Sequence, residues 1–221
     1  MARILVLMGA QGAGKGTQAQ KLSRALALPI VATGDILREV AKTDTPIGRK
    51  VGSLQAAGQL VPDDILAEIV SNRTQRDDCH NGYILDGFPR TLPQARLLET
   101  IAARQGHQIV VINIEVAREL LFKRLTGRRT CKNCGRIYNI YFKPTAIEGV
   151  CGVCGGELFV REDDNPESIA QRLSLYDEMT SPLLAHFSEA GVLHTVDGTG
   201  LPNEVFEKIL GAIGGEASAR G

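Results

Sequence analysis

Residues Gly9 to Thr17 read Gly-Ala-Gln-Gly-Ala-Gly-Lys-Gly-Thr and follow directly on the apolar run Ile4 to Met8. A strand that passes into a glycine-rich turn ending in lysine suits polyphosphate. Gly9, Gly12 and Gly14 let successive backbone N–H groups point into one concavity, and the helix that follows opens with its positive end at the same hollow. Gly12, Ala13, Gly14, Lys15, Gly16 and Thr17 are therefore the candidate phosphate cradle, with the Lys15 ammonium reaching for the outer phosphates. The strict phosphate-loop pattern has Ser or Thr right after the lysine, whereas this chain has Gly16 there and a hydroxyl only at Thr17.

Three further constellations carry chemistry. Tyr83 to Arg90 reads Tyr-Ile-Leu-Asp-Gly-Phe-Pro-Arg, an apolar strand ending in Asp86, where a carboxylate can hold a hydrated Mg²⁺ opposite the phosphate loop. Thr33 and Arg38 lie about a turn and a half apart at a helix entrance, a pairing suited to a nucleotide phosphate, although Asp35 as a cap and Arg38 as a solvated charge would be the ordinary reading. Cys131, Cys134, Cys151 and Cys154 form two Cys-x-x-Cys-Gly knuckles separated by sixteen residues. That spacing lets two tight turns offer four thiolates tetrahedrally with no open position, so the ion is structural and Zn²⁺ fits it, with iron the chemical alternative. The fifth cysteine, Cys79, stands alone and reads as a structural thiol.

The bulk composition excludes several classes. With 25 basic and 25 acidic residues the formal net charge is zero, so no overall basic field draws the chain to nucleic acid or to an anionic membrane. The basic residues divide into 17 Arg and 8 Lys, and arginine is the residue whose planar fork matches phosphate oxygens in pairs. The N-terminal apolar run is too short to span a bilayer and has no cleavage signal behind it, which leads us to expect a cytoplasmic protein with no membrane partner. At 221 residues one α/β core with insertions is the expected organisation.

The elements that must position these residues are legible as alternation. Strand-like segments fall at 3–8, 83–86, 108–114 and 192–196, with a weaker one near 29–32, and helical patterns lie between them. This predicts a doubly wound, three-layer α/β fold around a five-stranded parallel sheet. Pro62 with Asp63 and Asp64, Thr91-Leu92-Pro93, and Asp164 to Glu167 each mark a helix start, and Gly191 a helix end. Two stretches break the rhythm: residues 32–61, read as short helices, and residues 127–164, rich in Cys, Gly, Tyr and Phe. Both are expected to be insertions into a core formed by residues 1–31, 62–126 and 165–221. The tail from Gly214 to Gly221 carries little apolar material and reads as frayed.

Asp-Gly-Phe-Pro-Arg downstream of a Gly-Lys-Gly-Thr loop resembles the adenylate kinase family, and the resemblance extends from Arg3 to Thr199. It implies a P-loop fold in which 32–61 is the nucleoside monophosphate (NMP)-binding insertion and 127–164 a lid carrying the four-cysteine zinc site. It further implies transfer of a phosphoryl group from Mg-ATP to AMP, giving two ADP reversibly, by a monomer. On the acceptor side it points to Thr33, Arg38, Gln59, Leu60, Val61, Gly87, Phe88, Pro89, Arg90 and Gln94, with Gln94 reading the adenine edge. On the donor side it adds Arg128, Ile137, Tyr138 and, through backbone, Gly200 to the phosphate loop. Arg124, Arg128, Arg161 and Arg172 would face the two nucleotides, joining Lys15, Arg38, Asp86 and Arg90 as the catalytic set, with Arg161 and Arg172 also on the AMP side. Such a site needs charge neutralisation rather than a general base, because the attacking phosphate oxygen is already an anion. His80, His107, His186 and His194 accordingly lie outside every motif.

Two positions depart from the family pattern: Gln11 stands where many relatives have proline, and Gly200 where some have lysine. A GTP-using relative or a kinase for another nucleoside monophosphate is the alternative within the class. A zinc-ribbon ATPase binding nucleic acid is the alternative outside it, but that scheme leaves Asp86 to Arg90 and Thr33 to Arg38 without a purpose.

Overall fold

The computed structural model describes residues 2–57 and 59–218. In chain order the elements are β1 (Arg3–Met8), α1 (Lys15–Leu26), β2 (Ile30–Ala32), α2 (Thr33–Ala41), α3 (Pro46–Ala56), α4 (Asp63–Thr74), β3 (Gly82–Asp86), α5 (Leu92–Gln105), β4 (Gln108–Glu115) and α6 (Arg118–Thr126). There follow β5 (Arg128–Cys131), β6 (Ile137–Asn139), β7 (Leu158–Phe159), α7 (Pro166–Leu175), α8 (Leu183–Glu189), β8 (Leu193–Asp197) and α9 (Pro202–Ser218).

Five strands pair in parallel in the order β2-β3-β1-β4-β8. The alternation along β1 divides the core. Leu5 and Leu7 face a layer that includes Ala19 and Leu22 of α1, Leu121 and Leu125 of α6, Ile169 of α7, and Val205 and Ile209 of α9. Ile4, Val6 and Met8 face Val70 of α4, Leu98 of α5, and Leu183 and Phe187 of α8. Both faces of the sheet are covered, as a parallel sheet requires, and this is why the inner strands β1, β3 and β4 are predominantly apolar.

The helix starts follow local chemistry. Thr91 and Asn165 each accept from the backbone N–H three residues on, at Gln94 and Ser168, and each is followed by proline in the first turn, the combination that satisfies orphan donors and presets φ. One segment differs from its sequence pattern. The chain from Gly214 to Ser218 continues α9, because Ile209 and Ile213 bury against the sheet and a helix anchored on one face propagates beyond its last contact. Residues 219–221 of the expected frayed tail lie outside the described residues.

Residues 33–56 form two helices and no strand, and Leu37 and Val51 pack with Val61 and Leu66 in a cluster separate from the two sheet faces. Residues 128–159 form a three-stranded antiparallel sheet, β6-β5-β7, whose small core is Cys131, Tyr138 and Cys151 with Leu158 against them.

Candidate active site

The sheet register sets the site. Leu7 lies beside Asp86, and Ala32 lies beside Asp86 on the other side, so the phosphate loop, Thr33 and the turn after Asp86 leave the same edge. The chain crosses over in opposite directions from β1 and β3, and the carboxyl ends of strands at such a switch are where open α/β sheets bind ligands.

Gly9, Gly12 and Gly14 have φ of 132°, 89° and 102°, conformations open to glycine and closed to residues with a Cβ. A Cβ on Gly9 would meet the Ile114 carbonyl oxygen at 2.5 Å. Gly14 closes the turn, and α1 begins at Lys15, which leaves the first N–H groups of the helix directed into the hollow. The Lys15 ammonium donates to the carbonyls of Gly9 (2.7 Å) and Ala10 (3.0 Å). Burial brings its pKa down to about 8, with Arg90, Arg172 and Arg128 adding to the depression and Asp86 opposing it. The Asp86 carboxyl is pushed up by burial and pulled back by Lys15 and Arg90. An added Cβ on Gly16 would sit 3.4 Å from Asp86 Oδ2, so the carboxylate stands over the first turn of α1. No hydrogen bond or ion pair among the described residues engages that carboxylate, and an oxygen ligand beside a phosphate cradle fits a hydrated Mg²⁺.

The arginines converge. Burial lowers the pKa of Arg90, with Arg172 and Arg38 repelling its charge. Arg161 falls to about 10 through burial and the charges of Arg128 and Arg38. Arg172 is lowered by burial and by Arg128, against Asp163 and Asp164. A set of cations that depress one another is prepared for a polyanion. Two acids pair with it: Asp164, whose side chain is 0% exposed, accepts from Arg128 Nε at 2.7 Å and also from its Nη2, while Arg172 pairs with Asp163 at 2.9 Å. Arg161 Nε donates to Thr130 Oγ1 at 3.2 Å, and Arg38 pairs with Asp35.

Arg124 differs from the others. Its guanidinium donates to the carbonyls of Gly12, Ala13 and Gly198 at 3.0–3.5 Å, which ties the phosphate loop to the turn after β8. Gly200 sits in that turn; Glu204 accepts from the Leu201 N–H at 2.8 Å, and Gln18 reaches the Pro202 carbonyl at 3.0 Å.

On the other side of Asp86, Gly87 has φ of 87°, and a Cβ there would strike Thr33 Oγ1 at 2.8 Å. Thr33 Oγ1 itself donates to the Asp86 carbonyl at 3.3 Å. Arg90 Nε donates to the Gly87 carbonyl at 2.9 Å, which fixes the base of the guanidinium and leaves its tip toward the cleft. Phe88 is 1% exposed and Val61 is 4% exposed, so these two offer backbone rather than side chains. Leu60, Arg90 and Arg172 line a small cavity with Gln11, Leu175, Tyr176 and Thr180. Gln59 and Ile137 are not among the residues that line this cavity; Gln59, next to Leu60, closes α3 through its N–H on Leu54, and Ile137 pairs with Thr130 in the small sheet. The Tyr138 hydroxyl lies 3.3 Å from Cys151 Sγ, so its side chain belongs to the cysteine cluster.

That cluster is compact. The four Sγ atoms all lie within 4.8 Å of one another, with Cys131 to Cys154 at 3.5 Å and Cys134 to Cys151 at 3.7 Å. A tetrahedron with metal–sulfur bonds of about 2.3 Å has edges of about 3.8 Å, so the donors fit Zn²⁺. The two Gly residues that follow the knuckles, Gly135 and Gly155, have φ of 68° and 70° and turn the chain back to the sulfurs.

Several contributors have no signal in the sequence motifs. Asp63, marked only as a helix opener, receives hydrogen bonds from Gln94 Nε2 and from Thr91 Oγ1 (2.9 Å). Thr180 donates to the Arg90 carbonyl at 3.2 Å, and Ser168 to the Ala56 carbonyl at 2.7 Å. These pairings are distant in sequence and depend on how the helices pack.

The family model described as adenylate kinase matches residues 7–192. The chain is 47% identical over 211 residues to the adenylate kinase of Lachnoclostridium phytofermentans, covering 95% of this chain and 97% of the relative. It is 45% identical over 213 residues to that of Caldicellulosiruptor saccharolyticus (96% and 99% covered) and 47% identical over 210 residues to that of Geobacter sp. strain M21 (95% and 98% covered).

Proposed function

The chain belongs to the adenylate kinase family, and from that premise we propose that it transfers the terminal phosphoryl group of ATP to AMP, reversibly, giving two ADP. The observation that carries the reading is the convergence of Arg38, Arg90, Arg128, Arg161 and Arg172 around Lys15 and Asp86, more cationic charge than one triphosphate needs.

ATP occupies the phosphate loop, Gly12 to Thr17, with the Lys15 ammonium exchanging the Gly9 and Ala10 carbonyls for phosphate oxygens. Arg128 and the backbone of Ile137, Tyr138 and Gly200 hold its base and sugar, and Arg124 keeps the two donor loops in register. AMP lies across Thr33, Leu60, Val61 and the turn Gly87 to Arg90, with Gln59 at the rim and Gln94 at the adenine. Arg38, Arg90, Arg161 and Arg172 neutralise the phosphates that meet. Asp86 and Thr17 would hold Mg²⁺ arriving with ATP, which would supply further neutralisation of the β- and γ-phosphates. A positioned arginine in such reactions is worth about 10³ to 10⁵ in rate, so placement of these five accounts for the acceleration without proton transfer.

Residues 32–61 and 127–164 act as closing units over a core of 1–31, 62–126 and 165–221. Closure excludes the water that would otherwise take the phosphoryl group. Cys131, Cys134, Cys151 and Cys154 would hold Zn²⁺, which would order the lid and take no part in transfer.

A phosphotransfer assay that crosses ATP and GTP donors with AMP, GMP, CMP and UMP acceptors tests the proposal. ATP with AMP is expected to give the highest kcat/KM; a preference for another pair overturns it.

A further inference from the structure

Gln94 is 2% exposed, and its amide is held from both ends. Its Oε1 accepts from the Arg90 backbone N–H at 2.8 Å, and its Nε2 donates to Asp63 Oδ1. The second Asp63 oxygen accepts from Thr91 Oγ1 at 2.9 Å, and the same Thr91 oxygen accepts from the Gln94 N–H to cap α5. The carboxylate thus joins the first residue of α4 to the start of α5.

A primary amide carries two N–H donors and two acceptor lone pairs. One of each is used here, so one donor and one acceptor remain. Turning the amide over would face Oε1 to a carboxylate, which only accepts, and Nε2 to a backbone N–H, which only donates. Both contacts would become repulsive, so the order of donor and acceptor is fixed. We infer that Asp63 is a specificity-determining positioning residue: it holds the Gln94 amide in the one orientation that offers a donor to N1 and an acceptor to the exocyclic amine of a 6-aminopurine, against 6-oxopurines.

The inference rests on the acceptor being AMP with Gln94 at its base. A 6-oxopurine presents an N1–H donor and an O6 acceptor, the reverse order, and could be read only by the turned amide. Leaving buried polar groups mismatched is the strong form of discrimination, whereas apolar contact distinguishes such similar rings weakly. Asp63→Asn keeps the shape and replaces an obligate acceptor by a group that can also donate, which removes one of the two contacts that forbid the turn. Asp63→Glu keeps the acceptor.

The test is kcat/KM for AMP and for inosine monophosphate, with ATP as donor, in the wild type, Asp63→Asn and Asp63→Glu, alongside each variant's melting midpoint. The expected result is a fall of about tenfold or more in the AMP-to-inosine-monophosphate ratio for Asp63→Asn, one mismatched hydrogen bond's worth, with the ratio kept in Asp63→Glu. A ratio unchanged in Asp63→Asn, whether or not the midpoint drops, makes Asp63 a tie between two helices and overturns the inference. A wild type that shows no preference for AMP overturns instead the acceptor assignment on which the inference stands.

Discussion

The parallel-sheet core and the four-cysteine lid hold their shapes by different means. Around the sheet, two faces of buried aliphatic and aromatic side chains close on helices, with Phe187, Tyr83, Leu22 and Ile84 all but inaccessible. In the lid, the buried apolar set shrinks to Tyr138 and Leu158 with two cysteines, while Tyr141, Phe142, Ile147 and Val153 are more than half exposed. A segment that buries so little cannot offset the entropy of ordering its backbone by packing. Four thiolates within 4.8 Å of one another offer coordination as the substitute, and structural zinc is worth roughly 10 to 16 kcal/mol in peptides. The core is thus held by contact, whereas residues 127–164 have the arginine pairs of Asp163 and Asp164 and a thiolate cluster suited to a bound ion.

The largest expected effect leaves both regions intact. Arg90→Ala should lower kcat by about 10³ or more with an unchanged melting curve, since only the Arg90 Nε holds the turn and the tip is assigned to ligand in the proposed reading; unchanged turnover contradicts that assignment. Removal of the metal should separate the regions. Chelation, or Cys151→Ser, is expected to expose residues 127–164 to protease and to give a lid transition ahead of the core's in a melting experiment. A single coincident loss of both would mean that the lid is not ordered independently.

Packing substitutions sharpen the same contrast. Phe187→Ala should cost about 3 to 5 kcal/mol in chemical unfolding, whereas Val153→Ala at the lid surface should stay within about 0.5 kcal/mol. Comparable losses at the two sites would remove the distinction.

The smallest effect is in pH. Lys15 has a pKa of about 8 against an ordinary 10.5. Between those values the unfolded chain binds a proton that the folded protein lacks, so the stability contribution of Lys15 rises with pH over that window. ATP affinity runs the other way, because only the ammonium attracts phosphate. Calorimetric titration should show affinity declining above pH 8, by at most about tenfold per pH unit for one proton, and Lys15→Met should flatten the dependence.

The parts visible in the sequence are those whose geometry is local. Gly9 to Thr17 encodes its turn in three glycines, the two cysteine knuckles encode theirs in Cys-x-x-Cys-Gly, and β1, β3 and β4 announce themselves because burial on both faces makes most of their residues apolar. Arg128 to Asp164, Arg124 to the Gly198 carbonyl and Gln94 to Asp63 had no such signature. Each is a contact between elements set by crossing angles and by how far a side chain reaches, and a charged residue at a helix start reads the same whether it caps, pairs or positions another. The continuation of α9 through Gly214 escaped for a related reason, since the anchor lies at Ile209 and Ile213 rather than in the tail's own composition.

The proposed reaction moves a phosphoryl group from one nucleotide to the other and not to water. Phosphorus NMR of the zinc-loaded protein with Mg-ATP and AMP in equal amounts tests it directly. Two ADP should form for each ATP and AMP consumed, with no inorganic phosphate; inorganic phosphate accumulating at a rate independent of AMP would contradict it.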